Sequence, residues 1–265
     1  MACICIMVIP ACFKNLSIRG FRMLIKPALI EQVLTSPKSW QQLPHGKWLQ
    51  RLQREALQPH WASMAGNYAL QLGPLSNGVA GGCKAIEKIT VHNSSDARVR
   101  ADLSALPFAR RSIDIVVMAH VLEYQKDPHQ VLREADRVLA FDGYMVLTLY
   151  NPLSLASLTG LWPGNRHRPP WSGRYFSKGR IQDWLGLLNY EVVVEGYLGN
   201  SALSSLSKDP ERGTSWLLQQ APVLRCCYYI VARKRVFPLK LQPSFLRFAQ
   251  PAQVPGTAQA RSHFK

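Results

Sequence analysis

The sequence predicts an α/β protein with a doubly wound, largely parallel sheet, and a succession of three stretches carries that prediction. "SIDIVVMAH" (112–120) is a near-continuous apolar run, the pattern of a strand buried on both faces. "DPHQVLREADRVLA" (127–140) follows as a helix, and "FDGYMVLTLY" (141–150) returns to an apolar strand through an Asp142-Gly143 turn. Strand, helix and strand in direct succession build a sheet covered on both faces, with ligands at the carboxyl ends of its strands.

The remaining elements fall into place around that centre. Residues 45–63 set Trp48, Leu49, Leu52, Ala56 and Leu57 at helical spacing until Pro59, which predicts an amphipathic helix packed on the domain. "YALQL" (68–72) alternates as a strand, "AIEKITVH" (85–92) is a weaker one, and "ARVRAD" (97–102) is a third, short one. In the helix after the central strand, Asp127 is the N-cap, Pro128 sits at the first position, and Val131, Leu132, Ala135, Val138 and Leu139 make the apolar stripe. Beyond the irregular "NRHRPPWSGR" (165–174) come a helix over 177–189, a strand over 190–198 and a closing strand over 227–235.

This division gives four regions: a disordered leader or over-long start over 1–22, with Met23 as an alternative start; a helical cap over 23–66; the α/β domain over 67–235; and a basic tail over 236–265. The net charge of +16 sits largely at the ends, since residues 31–211 hold 19 Lys/Arg against all 16 acids. Such tails are solvated and suited to weak contact with nucleic acid or an anionic surface. The apolar run near Met1 is too short to span a bilayer. Six cysteines without a C-x-x-C pair or histidines at zinc spacing read as reduced, structural thiols, which suits the cytoplasm and predicts no metal site.

Residues 101–152 contain an acid before a Leu-Pro-Phe turn (Asp102 to Phe108), an aspartate opening the central strand (Asp114), a His-x-Leu-Glu stretch (His120 to Glu123), and a helix ending in a glycine turn. In these features the segment resembles the class I S-adenosylmethionine-dependent methyltransferases of the methyltransferase type 11 group. The resemblance implies a Rossmann-like, seven-strand-type sheet with S-adenosylmethionine across the carboxyl ends of its first, second and fourth strands. It places Gly73 in the first loop, Asp102 on the adenine amino group, the Leu103 backbone beside the ring, and Ala119 and His120 along the wall near the methionine portion.

The first loop departs from the family's pattern of an acid and three close glycines. Gln71 stands at the acidic position, Gly73 is retained, and Pro74 and Leu75 occupy the next two places. The second strand ends in Val91-His92-Asn93 without the carboxylate that holds ribose, with Asp96 as a displaced substitute. Only 29 residues separate Gly73 from Asp102, so the first helix is expected to be truncated or replaced by "SNGVAGGCK".

Methyl transfer needs alignment and desolvation more than acid or base chemistry, and no catalytic residue is assigned. His120 is expected to bond to backbone at its strand end, with a general base as the alternative; Asn151-Pro152 to form a turn; and Arg166, His167 and Arg168 with Trp162 and Trp171 to form a basic surface loop, with a lid or a site for an anionic or flat substrate as the alternative. Two readings stand: a methyltransferase acting on a small-molecule acceptor, or a protein with the same fold, a degenerate cofactor loop and a role in RNA or protein interaction.

Overall fold

The computed structural model describes residues 34–154, 157, 168–199 and 221–235. The expected leader and tail, Trp162, Arg166 and His167 lie outside these residues. The sheet has six strands: β1 (Tyr68–Leu72), β2 (Glu87–Val91), β3 (Ile113–Ala119), β4 (Leu139–Tyr150), β5 (Tyr190–Leu198) and β6 (Cys227–Lys234), in the spatial order β2-β1-β3-β4-β6-β5. Strands β1 to β4 run parallel, and β6 lies antiparallel between β4 and β5.

Alternation along the strands sends side chains to two cores. Leu70, Leu72, Val116, Met118, Leu147 and Ile230 point to one face, where they meet α3 (Pro128–Val138) and α4 (Lys178–Leu187). Ala69, Ile115, Val117, Val146 and Val231 point to the other and meet Leu49 and Leu57 of α1 (Gly46–Leu57), together with Trp40 and Trp61. The expected cap holds, Asp127 accepting from the Gln130 N–H; Ser177, expected as the first residue of its helix, instead caps α4 by accepting from the Arg180 N–H.

Two expectations change. The strand over 97–102 reduces to a single bridge between Val91 and Val99. Between Gly73 and Asp102 the chain makes one helical turn, α2 (Ser76–Val79), a 3₁₀ turn (Ala80–Gly82) and β2, which leaves little chain for a further strand. Asp142-Gly143 does not precede β4 but lies inside it, with Asp142 at φ 59° and the pairing with β3 slipping between Ile113–Leu139 and Ile115–Tyr144. A left-handed residue at such a slip is a bulge, so the strand bends without ending. The helix expected to stop at Pro59 ends at Leu57 and passes into a 3₁₀ turn over Gln58–Ser63, where Pro59 cannot continue an α-helix.

Asp114 faces the start of β1, and its carboxylate accepts the Asn67 and Tyr68 N–H groups at 2.7 and 3.0 Å. Cys83, Cys226 and Cys227 are free and buried. Burial raises the Cys83 and Cys227 thiols above their ordinary range, so both stay protonated as apolar filling. Among the described residues no helix is long and apolar enough to cross a membrane, and no three His, Cys, Asp or Glu side chains gather as metal ligands.

Candidate active site at the carboxyl ends of the sheet

β1 delivers Gln71 and Gly73 to the edge where the parallel strands end. Gly73 has φ 83°, and a Cβ there would stand 2.7 Å from Val121 Cγ2, so both its backbone and its packing require glycine. Gln71 is buried, and its side-chain carbonyl oxygen has no hydrogen-bond partner. Ser76 ties the loop down: its hydroxyl donates to the Leu72 carbonyl and accepts the Ala119 N–H at 2.9 Å. That bond spends the Ala119 N–H, leaving Ala119 to form wall only. The indole N–H of Trp40 donates to the Leu75 carbonyl at 3.1 Å and holds the loop from the cap side.

Asp102 is exposed, and its carboxylate accepts the Ser104 N–H at 2.9 Å, closing an Asx turn. Leu103 follows with its side chain in the core. Helix α3 positions this turn. Gln130 donates to the Ser104 carbonyl, Glu134 accepts the Leu106 N–H, and Arg137 donates to the Leu106 and Phe108 carbonyls. At the end of β2, His92 is buried, its Nδ1 accepting the Ser94 N–H at 3.3 Å and lying 3.9 Å from the exposed Asp96 carboxylate. The described residues therefore present an imidazole where the family presents a carboxylate.

His120 ends β3 with φ 52°, a left-handed backbone that a residue with a side chain adopts at a cost of about 1 kcal/mol or more. Its side chain does not bond to backbone as expected. The Thr148 hydroxyl donates to Gln53 Oε1 at 2.9 Å, which turns the Gln53 amide so that Nε2 donates to His120 Nε2 at 2.7 Å. The ring proton then sits on Nδ1 and is donated to Glu123 Oε1 at 3.3 Å, which also accepts the Tyr150 N–H at 2.9 Å. The imidazole stacks on Tyr150 with centroids 3.8 Å apart and meets the edge of Trp40. Both ring nitrogens are occupied, so His120 holds the cap helix to the sheet and is not available as a base.

Beside this network the buried Glu123 Oε2 has no hydrogen-bond partner, and the Tyr124 and Tyr150 hydroxyls have at most each other. Burial raises all three phenols of Tyr124, Tyr150 and Tyr175 far above their ordinary range, and the Glu123 carboxylate pushes in the same direction. They stay protonated, and their hydroxyls remain donors. Buried polar atoms without partners are uncommon, and their concentration at one end of the sheet marks a place built to receive another molecule or water.

Residues 78–147 match the methyltransferase domain model. The chain is 36% identical over 221 residues to the uncharacterized protein YafS of Escherichia coli K12, covering 83% of this chain and 90% of YafS. The chain belongs to the YafS family. Within it, residues 78–147 carry a methyltransferase domain. The sheet is similar to that of a solved S-adenosylmethionine-dependent methyltransferase of Thermotoga maritima, with a TM-score of 0.50 and 18% identity over 71% of this chain and 92% of that one. A second, from Archaeoglobus fulgidus, matches with a TM-score of 0.48 at 17% identity over 68% and 94%.

Of the residues expected at the site, the fold brings Gly73, Ala119 and His120 together through Val121 and Ser76, while Asp102 and Leu103 reach the same edge through the turn held by α3. Gln53, Ser76, Thr148 and Tyr150 were not anticipated. The His120-to-Glu123 spacing was the one sequence signal for the buried pair, and its partner Gln53 lies 67 residues away from His120.

Proposed function

We propose that this YafS-family protein binds S-adenosylmethionine across the carboxyl ends of β1, β2 and β3 and methylates a small-molecule acceptor. The observation that carries the reading is the unpartnered Gln71 carbonyl oxygen next to a glycine that must be glycine. A neutral amide oxygen accepts from an ammonium group as a carboxylate does, so Gln71 fits the amino end of the cofactor in place of the family's acid. Asp102 offers a carboxylate to the adenine amino group, Leu103 backs the ring, and Ala119 and His120 wall the methionine end. His92 and Asp96 are left to meet ribose, which predicts weaker binding by about 1.5 to 3 kcal/mol than a well-placed carboxylate would give.

When bound, the cofactor supplies an electrophilic methyl group on a sulfonium. The chain's own contribution is to orient and to exclude water. Glu123 Oε2 accepts and the Tyr124 and Tyr150 hydroxyls donate, which suits an acceptor whose reacting end carries N–H or O–H groups and a lone pair. Calorimetry with S-adenosylmethionine and S-adenosylhomocysteine tests the reading. Ligand at a hundred times its dissociation constant should stabilise the fold by about 2.7 kcal/mol. No heat and no stabilisation at millimolar ligand would overturn it in favour of an interaction protein with the same fold.

A further inference from the structure

At the opposite end of the sheet, where the parallel strands begin, lies a cavity of about 370 Å³ lined by Arg110, Arg111, Arg137, Phe141, Lys234 and Arg235, with Asp136, Leu188 and Asn189. Most of its charges are already used. Lys234 Nζ donates to the Asp136 carboxylate at 2.9 Å and to the Asp136 and Leu139 carbonyls, and Tyr190 donates to the same carboxylate at 3.0 Å. Arg137 is bound to Glu134, and Arg235 to Glu191 and Asp142. The one carboxylate in the lining is therefore neutralised in place.

Arg110 and Arg111 differ: neither makes an ion pair among the described residues. Arg111 is nonetheless held. Its backbone is left-handed at φ 58°, its N–H donates to the Arg137 carbonyl at 3.1 Å, and its guanidinium lies 3.7 Å above the ring of Phe141. Stacking on a ring face occupies the plane of the guanidinium and leaves its in-plane N–H edge open, the arrangement that receives an oxyanion in bidentate fashion. It also accounts for Phe141 standing 45% exposed at the mouth of the cavity. Arg110, the neighbouring residue, adds a second open fork to the same lining.

We propose that this cavity is a phosphate-binding site in which Arg110 and Arg111 grip one phosphate group of a nucleotide or of a nucleic-acid strand. Two guanidinium forks from adjacent residues carry two positive charges, which match the charge and the three or more oxygens of a tetrahedral phosphate better than the single charge of a carboxylate. The methyl-transfer edge lies at the other end of the strands, so the two sites are independent.

The test titrates the full chain with inorganic pyrophosphate, ATP and a short single-stranded oligoribonucleotide at about 50 mM salt, where phosphate contacts are strongest. The wild type is expected to bind at least one probe, and the doubly substituted R110A/R111A protein to bind it at least about tenfold more weakly. Arg111→Lys keeps the charge but loses the fork and the stacking, and should recover only part of the binding. Tighter binding of the oligonucleotide than of ATP identifies a strand as the source, and the reverse order a free nucleotide. S-Adenosylmethionine binding should be the same in wild type and R110A/R111A, which separates this site from the one at the carboxyl ends. Absence of binding by the wild type to all three probes, or equal binding by R110A/R111A with its thermal transition unchanged, overturns the proposal.

Discussion

At the amino end of the sheet, Asp114 takes two backbone N–H groups, Lys234 satisfies a carboxylate and two carbonyls, and Arg137 joins Glu134 to the turn after Asp102. At the carboxyl end, Gln71 and Glu123 each keep a buried oxygen with no partner, and the Tyr124 and Tyr150 hydroxyls have at most each other, although most of their surroundings are as tightly packed. Both ends belong to the same six strands, so packing alone does not explain the contrast. Polar groups that serve the fold are matched within the fold. Of those left unmatched, the Gln71 and Glu123 oxygens and the Tyr124 and Tyr150 hydroxyls lie where the parallel strands end, the edge at which open α/β sheets hold ligands, whereas Trp61 Nε1 lies in the cap before β1.

The contrast is broken most severely at Glu123. Glu123→Ala would strip the acceptor from the Tyr150 N–H and the His120 Nδ1–H in a fully buried place, and urea denaturation should show a loss of about 4 kcal/mol. Glu123→Gln retains one carbonyl and should cost less than half of that.

A satisfied group at the other end gives the next effect. Glu134→Ala releases Arg137 and the Leu106 N–H, and denaturation at neutral pH should show a loss of about 2 kcal/mol. The hydrogen bond from Arg137 holds the Glu134 carboxyl below its ordinary range. Its stabilisation is therefore present above the unfolded glutamate's pKa and is lost as pH falls through the lowered native one. The acid limb of the stability curve should be shallower in Glu134→Gln than in the wild type.

Tyr150→Phe sharpens the comparison by removing a hydroxyl whose one protein neighbour to lose is that of Tyr124. Its thermal transition should stay within about 1 kcal/mol of wild type or rise, while methyl transfer to an acceptor held by that hydroxyl falls. A large destabilisation would instead show that the hydroxyl serves the fold.

The smallest effect belongs to His129, packed 4.0 Å from the ring of Trp184. Desolvation lowers its proton affinity below that of a free histidine. The unfolded chain takes up this proton first as pH falls, so this residue's contribution declines through the unfolded histidine range near about 6.5. An NMR titration of the imidazole should show a midpoint below that value.

Much of the fold was legible residue by residue. The apolar run at 112–120 became β3, 68–72 and 190–198 became β1 and β5 without a change of boundary, and Asp127 caps its helix. The truncated helix after Gly73 followed from counting residues to Asp102. The short strand at 97–102 and the turn at Asp142-Gly143 were misjudged because both look alike locally whether a neighbouring strand pairs with them or not. For the site, Gly73 was readable from its place after a strand, whereas the role of His120 was not. Its ring is held by Gln53 from a helix 67 positions earlier, and that amide is turned by Thr148, 95 positions from it.

Local patterning thus settled where strands and helices run, because burial on one or both faces imposes its period on consecutive residues. That the residue after β1 must be glycine came from its left-handed backbone and from Val121 packed against it. Which polar side chains meet was decided by the order β2-β1-β3-β4-β6-β5 and by the cap helix laid across it. Hydrogen bonds reach only about 3 Å, and residues scores of positions apart come within that reach only when the sheet has closed.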